Sequence, residues 1–297
     1  MTRREQLVEA FEDTQRFYAE NPILAEAVRN SCDHTKFYDV NDYPVLSKET
    51  YPDQAGDGKS SLARSSHSIV RVSKGKTFQT ALRLHSEHPE RKIAVLNFAS
   101  ATNPGGGVKN GSSAQEESLC RCSTLYPALD RSWLWSKYYS VNRAARNVLH
   151  TDACIYSPDV VICKTDDSIP KRLSPDHFVT VDVITCAAPN LRKVPGNYHN
   201  PEVGNSVMVT PQELYRIHLQ RAKHILHVAA YNEVASLVLG AFGCGAFAND
   251  PNIVAQAYHA AIEEYKGRFS EIEFAIYCRD YETENYLAFS SLFGTDR

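Results

Sequence analysis

The stretch IAVLNFASATNPGGGVKNGSSAQEE, residues 93–117, decides the fold that this sequence predicts. Its apolar start at 93–96 is typical of a buried strand. Three consecutive glycines at 105–107 then exclude a regular element, and two adjacent carboxylates, Glu116 and Glu117, come after a short polar segment. Because glycine lets the backbone approach a ligand closely, the stretch indicates a strand, a ligand-binding loop and a helix that carries two acids.

A second glycine-rich loop, LVLGAFGCGAFANDP at residues 237–251, repeats this arrangement. A buried strand leads into the glycines, and Asp250 with Pro251 predicts the start of a helix. Free backbone N–H groups beside a helix N-terminus form an anion site that suits phosphate. The loop lacks the Gly-Lys-Ser/Thr of a Walker loop and the third glycine of a dinucleotide fingerprint. The structural alternative is tight packing between strand and helix.

Helices and strands alternate along the chain after an N-terminal helical region. The pattern predicts helix over 3–32 with a break at Asn21-Pro22, where Pro22 can begin a second helix. Strands are predicted at 68–73, 92–99, 154–156, 160–163, 178–186, 235–242 and 272–278. Helices are predicted at 77–86, 115–122, 132–149, 210–230, 251–265 and 282–293. We therefore expect an α/β fold with helices on both faces of a sheet, and a helical extension at 1–65 packed on a main domain at 66–297.

The composition excludes several classes of protein. The chain has 297 residues, 43% of them hydrophobic and 23% charged, with a net charge of −3. This is an ordinary globular composition without the basic character of a nucleic-acid binder, so no direct nucleic-acid binding is expected. We find no apolar stretch that could span a membrane and no signal peptide. Eight scattered cysteines indicate free thiols and an intracellular, reducing, cytoplasmic location, and no metal site is expected.

The two carboxylates have both structural and catalytic interpretations. Ser113 to Glu116 fits a capping box, in which Ser113 is the N-cap and Glu116 reaches back to it. A glutamate at a helix start can also merely compensate the helix dipole. Glu117 lies beyond the capping box and beside the glycine loop, which favours an acid/base role. Adjacent residues leave a helix about 100° apart, so the two acids are not the facing pair of an ordinary glycosidase.

These motifs resemble a known family. The spacing Gly105-Gly-Gly107, seven residues, then Gln115-Glu-Glu117 resembles the signature of poly(ADP-ribose) glycohydrolases. Residues 96–107 are similar to the first ligand loop of macrodomains, and 240–251 are similar to the diphosphate loop of the bacterial-type glycohydrolases. The resemblance covers about residue 65 to the end, and the helical N-terminal region is typical of the microbial branch. It implies a macrodomain, a three-layer α/β/α fold with a mixed central sheet, that needs no metal and no cofactor.

The resemblance also implies a role for individual residues. Glu117 would be the catalytic acid/base, and Glu116 and Asn103 would hydrogen-bond the distal ribose. The glycine loop with Val108 would pass close to the ribose and diphosphate, residues 243–246 would hold the diphosphate, and Phe247 would pack on the ribose or adenine. The predicted catalytic residues are thus Glu117 and Glu116. The predicted substrate-binding residues are Asn103, Gly105, Gly106, Gly107, Val108, Gln115, Gly243, Cys244, Gly245, Ala246 and Phe247.

The activity that this resemblance implies is hydrolysis of the ribose–ribose O-glycosidic bonds of poly(ADP-ribose), mainly from the chain end, to release ADP-ribose. The expected partner is therefore ADP-ribose or poly(ADP-ribose), free or on modified proteins, and we expect a monomer. One alternative is a mono-ADP-ribosyl hydrolase that acts on protein or nucleic acid with the same pocket. Another is a macrodomain that only binds ADP-ribose, which would not require Glu117.

Overall fold

The structure is a computed structural model that describes residues 1–46, 68–196, 203–279, 281 and 283–294. The predicted boundary at 65/66 between a helical extension and a main domain lies outside these residues and stays a prediction. No helix in the described part of the chain is long and apolar enough to cross a membrane.

The described elements alternate as the sequence pattern predicts. The helices are α1 Arg3–Glu20, α2 Pro22–His34, α3 Thr77–Glu87, α4 Gln115–Cys122, α5 Leu125–Leu129, α6 Ser132–Leu134, α7 Ser140–Ala145, α8 Pro211–Tyr231, α9 Pro251–Glu264 and α10 Glu284–Phe293. The strands are β1 Lys36–Tyr38, β2 Ile69–Lys74, β3 Ile93–Phe98, β4 Cys154–Ile162, β5 Val179–Cys186, β6 Ser236–Leu239 and β7 Glu271–Ile276. A wide π-helical turn, Trp135–Tyr139, joins α6 to α7.

The seven strands form one mixed sheet in the order β1-β4-β5-β3-β6-β7-β2. The pairs β3–β6, β6–β7 and β7–β2 are parallel, whereas β1–β4 and β4–β5 are antiparallel. The predicted α/β fold with a mixed sheet is confirmed. The sequence pattern did not reveal β1, because a strand of three residues is too short to show an alternation.

The chain divides into two compact units. The first comprises Met1–Val40, Leu96–Val209 and Phe242–Asn249, and the second comprises Asn41–Val95, Thr210–Ala241 and Asp250–Arg297. The first predicted ligand loop, at 97–117, and residues Phe242–Asn249 of the second, which include its predicted substrate-binding residues, therefore belong to the first unit.

In the first unit, α1 and α2 form where the sequence predicts them. Thr2 and Glu5 form a capping box at the start of α1. Asn21 ends α1 and caps α2, accepting hydrogen bonds from the N–H groups of Ile23 and Leu24, with Pro22 at the first helical position. The predicted break at Asn21-Pro22 is confirmed.

Buried polar contacts attach α1 to α4 and to Lys164, which lies just after β4. The hydroxyl of Thr14 donates to the carbonyl oxygen of Arg121 in α4 at 2.5 Å. Lys164 is fully buried, and its ammonium group donates to the carbonyl oxygen of Ala10 at 2.8 Å and lies 2.7 Å from the carboxylate of Asp13. Buried polar groups require such partners. The N-terminal helix is therefore part of the unit that carries both loops.

In the second unit, the predicted helix starts are confirmed. Thr210 and Glu213 form a capping box at the start of α8, and Pro211 occupies the first helical position. Asp250 caps α9 by accepting from the N–H groups of Asn252 and Ile253. Local side-chain chemistry thus fixes where both long helices begin.

Two predicted element boundaries were wrong. The strands predicted at 154–156 and 160–163 form the single strand β4, with a bulge between Ser157 and Val160 that absorbs the turn-like residues. At this bulge Asp159 has a φ of 55°, and its N–H donates to the Asp182 carboxylate at 3.0 Å. The helix predicted over 132–149 ends at Ala145, because Arg146 adopts the left-handed conformation at a φ of 48°.

Candidate active site

The first loop connects the end of β3 to α4 and folds back on itself. The N–H of Gly106 donates to the carbonyl oxygen of Asn103 at 3.0 Å, and a short 3₁₀ turn follows at Val108–Asn110. At the end of β3, the N–H of Ala99 donates to the carbonyl oxygen of Cys186 in β5 at 2.9 Å. The loop therefore starts from a fixed point in the sheet.

Gln115 attaches the first turn of α4 to β3. Its side-chain amide donates to the carbonyl oxygen of Leu96 at 2.7 Å and accepts from the N–H of Phe98 at 2.8 Å. The structure thus places Gln115, a predicted substrate-binding residue, against strand backbone. There it fixes the direction in which the following residues leave the helix.

The predicted capping box between Ser113 and Glu116 was wrong. The N-cap of α4 is Ala114, with no side-chain capping bond. Glu116 instead turns inward, where one carboxylate oxygen accepts from the N–H of Ser100 at 2.7 Å and the other lies 3.4 Å from the amide nitrogen of Asn97. A buried N–H at the end of a strand needs an acceptor, and this need prevails over the local cap.

Glu117 combines burial with an unused hydrogen-bond acceptor. The residue is only 7% exposed, and its Oε1 accepts from the N–H of Gly107 at 2.9 Å. Its Oε2 is buried and has no hydrogen-bond partner among the described residues. A buried carboxylate oxygen without a donor costs about 1–3 kcal/mol or more. Oε2 is therefore an atom of this site that lacks a partner among the described residues and can take one from a substrate.

Burial and charge make the two carboxylates unequal. Loss of solvent and, second, the negative charge of Glu117 raise the pKa of Glu116 well above that of an exposed glutamate. The hydrogen bonds from Ser100 and Asn97 act in the opposite direction and are weaker. Glu116 thus keeps its proton to a higher pH than an ordinary glutamate, which removes like-charge repulsion from Glu117.

The glycines allow the first loop to lie directly over these carboxylates. Gly106 has a φ of 56°, and a Cβ there would lie 2.6 Å from Oε1 of Glu117 and 3.0 Å from Oε2 of Glu116. A Cβ at Gly105 would lie 2.8 Å from the ring of Tyr126, so this part of the loop rests on an aromatic side chain. No larger residue fits at either glycine without displacing its neighbours.

Three other predicted residues of the first loop differ in their surroundings. Val108 is fully buried. Gly107 donates its N–H to Glu117, as described above. Asn103 is half-buried, and its side-chain oxygen accepts from the guanidinium of Arg143. Arg143 also donates from Nε to the carbonyl oxygen of Thr102 at 2.8 Å.

The second loop contacts the base of the first through aromatic side chains. The rings of Phe98 and Phe242 lie 5.6 Å apart. A Cβ at Gly243 would lie 2.7 Å from the Cβ of Ala188, so packing within the protein explains this glycine. At Gly245, by contrast, no atom of the described residues lies within 4 Å of the Cβ position. The described part of the chain does not require glycine there, whereas a closely bound ligand would.

The rest of the second loop is open to solvent on one side. Ala246 is exposed, and Cys244 and Phe247 are half-buried. The carbonyl oxygen of Phe247 accepts from the N–H of Leu191 at 2.9 Å, and its ring lies 5.7 Å from the guanidinium of Arg192. The ring is thus fixed in position beside exposed backbone, as a stacking or packing surface requires.

Sequence reasoning missed the residues that support the first loop from outside it. The ring of Tyr126 lies against Gly105, and the hydroxyl of Tyr126 donates to Asp130 at 2.6 Å. Arg143 holds Asn103, and its guanidinium lies over the ring of Trp135 at 4.7 Å. The signal that could have found Arg143 is a run of 21 residues, 131–151, with four Lys or Arg and no acidic residue. Among the described residues, no group of three or more His, Cys, Asp or Glu side chains is arranged to hold a metal ion.

Comparison with known proteins agrees with this geometry. The family described as "Microbial-type PARG, catalytic domain", where PARG is poly(ADP-ribose) glycohydrolase, matches residues 6–165. No curated protein matches the chain.

Solved structures of bacterial enzymes match over nearly the whole chain. The poly(ADP-ribose) glycohydrolase of Thermomonospora curvata is 27% identical, with a TM-score of 0.79 over 98% of this chain and 100% of that one. The same enzyme bound to the inhibitor ADP-HPD has a TM-score of 0.77 at 27% identity, over 97% of this chain and 99% of that one. The Deinococcus radiodurans glycohydrolase in complex with ADP-ribose is 34% identical, with a TM-score of 0.68 over 89% of this chain and 95% of that one.

The family match covers more than half of the chain, including the first glycine loop and the helix α4 that carries the two glutamates. The chain belongs to the microbial-type poly(ADP-ribose) glycohydrolase family.

Proposed function

We propose that this protein hydrolyses the ribose–ribose O-glycosidic bonds of poly(ADP-ribose), mainly from the chain end, and releases ADP-ribose. The observation that carries the proposal is the buried Oε2 of Glu117, which has no partner among the described residues, on a carboxylate whose other oxygen lies at the glycine loop. Membership of the glycohydrolase family and the ADP-ribose or ADP-HPD bound in related structures support it.

In the proposed reaction Glu117 acts as both acid and base. It protonates the departing ribose oxygen and then takes a proton from the water that attacks the anomeric carbon. The N–H of Gly107 fixes one of its oxygens and leaves the other for the substrate. The raised pKa of Glu116 favours its neutral form, which lessens like-charge repulsion beside Glu117.

The second loop binds the diphosphate of the terminal unit. Its exposed backbone at Gly245 and Ala246 offers N–H groups, and the open space at Gly245 lets phosphate oxygens come close. Positive charge develops on the ribose in the oxocarbenium-like transition state. A diphosphate held nearby stabilises that charge, so binding and catalysis use the same contacts.

The experiment is to measure release of ADP-ribose from poly(ADP-ribose) by the Glu117→Gln variant. We expect the rate to fall by about 10²–10⁴-fold, because a positioned acid/base contributes that much. The affinity for ADP-ribose should stay within about tenfold, since the amide keeps the size of the side chain. Glu213→Gln is the matched control, because Glu213 also lies in the first turn of a helix but is exposed at a cap.

Full activity of the Glu117→Gln enzyme would refute the assignment of Glu117. Parallel incubation with mono-ADP-ribosylated protein tests the substrate class. Release of ADP-ribose from that protein but not from the polymer would refute the proposed polymer specificity.

A further inference from the structure

Arg143 carries a positive charge beside the first loop that no described carboxylate pairs with. Its Nε and Nη2 groups donate to Thr102 and Asn103 of the loop, while its Nη1 group donates to none of the described residues. Within the described chain it forms no ion pair with a carboxylate, and more than a third of the residue is exposed. A guanidinium held by one edge in this way presents its other edge to solvent.

The π-helical turn aligns Arg143 with an aromatic support. Trp135 and Arg143 are eight residues apart, and the wide turn at 135–139 adds about one residue to the helical repeat. They therefore lie about two turns apart on one face, and the Cζ of Arg143 lies 4.7 Å from the centre of the Trp135 ring. The indole N–H of Trp135 donates to Asp130 at 2.9 Å, which fixes the ring. Both side chains are thus preorganised rather than mobile.

The acidic side chain nearest to this pair is already occupied. Asp130 accepts from Trp135 and from the hydroxyl of Tyr126, and it lies 3.6 Å from the ammonium of Lys109. Between 131 and 151 the chain has no acidic residue at all. The surface that carries Arg143 therefore favours an anion.

Arg143 is separated from the catalytic carboxylates by few contacts. Arg143 donates to the side-chain oxygen of Asn103. The backbone carbonyl oxygen of Asn103 accepts from the N–H of Gly106, and Gly106 lies directly over Glu117. The diphosphate of the terminal ADP-ribose unit is assigned above to the second loop. An anion at Arg143 is therefore a different group, and it lies on the first loop.

The substrate supplies such a group. In poly(ADP-ribose), the ribose that carries the departing oxygen also carries, at its 5′ carbon, the diphosphate of the preceding unit. We propose that Arg143, supported by Trp135, binds this diphosphate and forms a subsite for the unit that leaves when the bond is cut. The inference rests on the proposed function and adds a contact that free ADP-ribose cannot make.

The test compares a ligand of one unit with a ligand of two units. The Glu117→Gln protein is used throughout, so that the two-unit oligomer of ADP-ribose is bound and not cut. Its affinities for free ADP-ribose and for the two-unit oligomer are measured by calorimetry, alone and with Arg143→Gln added. Glutamine removes the charge but keeps an amide that can donate to Asn103.

Lys137→Gln is the matched control. Lys137 lies in the same helical segment and loses the same charge, but its ammonium lies over Trp133, at 6.0 Å, and not over Trp135. We expect Arg143→Gln to weaken binding of the two-unit oligomer about tenfold or more and to change ADP-ribose binding less than twofold. Lys137→Gln should change neither. The salt dependence of oligomer binding should also become shallower, by about 0.7 in log–log slope per lost phosphate contact.

Three outcomes would overturn the subsite. Equal loss for both ligands would mean that Arg143 only positions Asn103, and no loss for either would mean that it binds nothing. Equal effects of Arg143→Gln and Lys137→Gln on the oligomer would indicate general charge attraction. If the parent Glu117→Gln protein bound neither ligand, the proposed function itself would fail, and the subsite with it.

Discussion

Gly245→Ala separates the needs of the fold from the needs of a ligand. The substitution adds one methyl group where no atom of the described residues lies within 4 Å, and the φ of Gly245 is outside the left-handed region. Alanine can therefore adopt this backbone without strain. We expect the free energy of unfolding to stay unchanged or to rise by about 0.4–1 kcal/mol, because alanine restricts the unfolded chain.

The effect on binding should be in the opposite direction. If a diphosphate lies against the backbone at Gly245, the methyl group occupies the space that its oxygens need. The loss of one hydrogen bond to a charged group costs about 1.5–3 kcal/mol. The dissociation constant for ADP-ribose should therefore rise roughly ten- to 150-fold.

The assay pairs calorimetry with ADP-ribose and urea unfolding of the same protein. Gly75→Ala is the control, because a Cβ there would make only an ordinary contact, 3.5 Å from the hydroxyl of Thr80. That variant should leave ADP-ribose affinity unchanged. A folded Gly245→Ala protein that binds ADP-ribose within twofold of the parent would refute the assignment of the second loop.

Three further predictions concern the buried carboxylate of Glu116, the first loop and the buried ammonium of Lys164. Burial raises the pKa of Glu116, so the folded protein holds a proton that the unfolded chain releases above about pH 4.3, and the free energy of unfolding falls as pH rises. The Glu116→Gln substitution should flatten this decline in urea titrations between pH 5 and 8. A parallel decline in both proteins would contradict the prediction. Gly106→Ala should abolish hydrolysis and lower the unfolding free energy by about 1 kcal/mol or more, because its φ of 56° and a 2.6 Å contact oppose a Cβ; a fully active variant would argue against the loop geometry. Asp13→Ala should lower the unfolding free energy by about 3 kcal/mol, since it removes the carboxylate that pairs with the buried ammonium of Lys164. The control Glu20→Gln removes an exposed ion pair with Arg172, 3.8 Å apart, and should change the unfolding free energy by less than about 1 kcal/mol. Equal effects of the two substitutions would contradict this reasoning.

The sequence predicted those parts of the structure that depend on local chemistry. Thr210, Asp250 and the Asn21-Pro22 pair mark helix ends by their own side chains and rings, and each acts where the pattern places it. The glycine loops could be predicted because glycines that follow a strand allow backbone conformations and close approaches that other residues do not. The capping box predicted at Ser113 was wrong because the backbone N–H of Ser100, 16 positions from Glu116, donates to that glutamate instead. Local patterns do not contain that competitor.

The contacts that support the first loop lay beyond prediction for the same reason, although the basic run at 131–151 could have pointed to Arg143. Arg143 holds Asn103 across 40 positions of sequence, and Gln115 reaches back to Leu96 across 19. A pattern reveals that a loop can bind, but the contacts that hold it in a binding shape come from elsewhere in the chain. The sequence therefore predicts which residues can bind a ligand, but not which contacts hold them in place.

The first turn of α4 shows how one short motif can serve three purposes. Successive residues leave a helix about 100° apart, so Gln115, Glu116 and Glu117 point in three directions. The first contacts the backbone of β3, the second accepts from the loop at Ser100, and the third has one oxygen without a partner among the described residues. If Glu116 were charged, it would repel the negative charge that Glu117 needs as a base. Its raised pKa favours the neutral form of Glu116, so the residue that accepts from the loop also lessens like-charge repulsion beside Glu117.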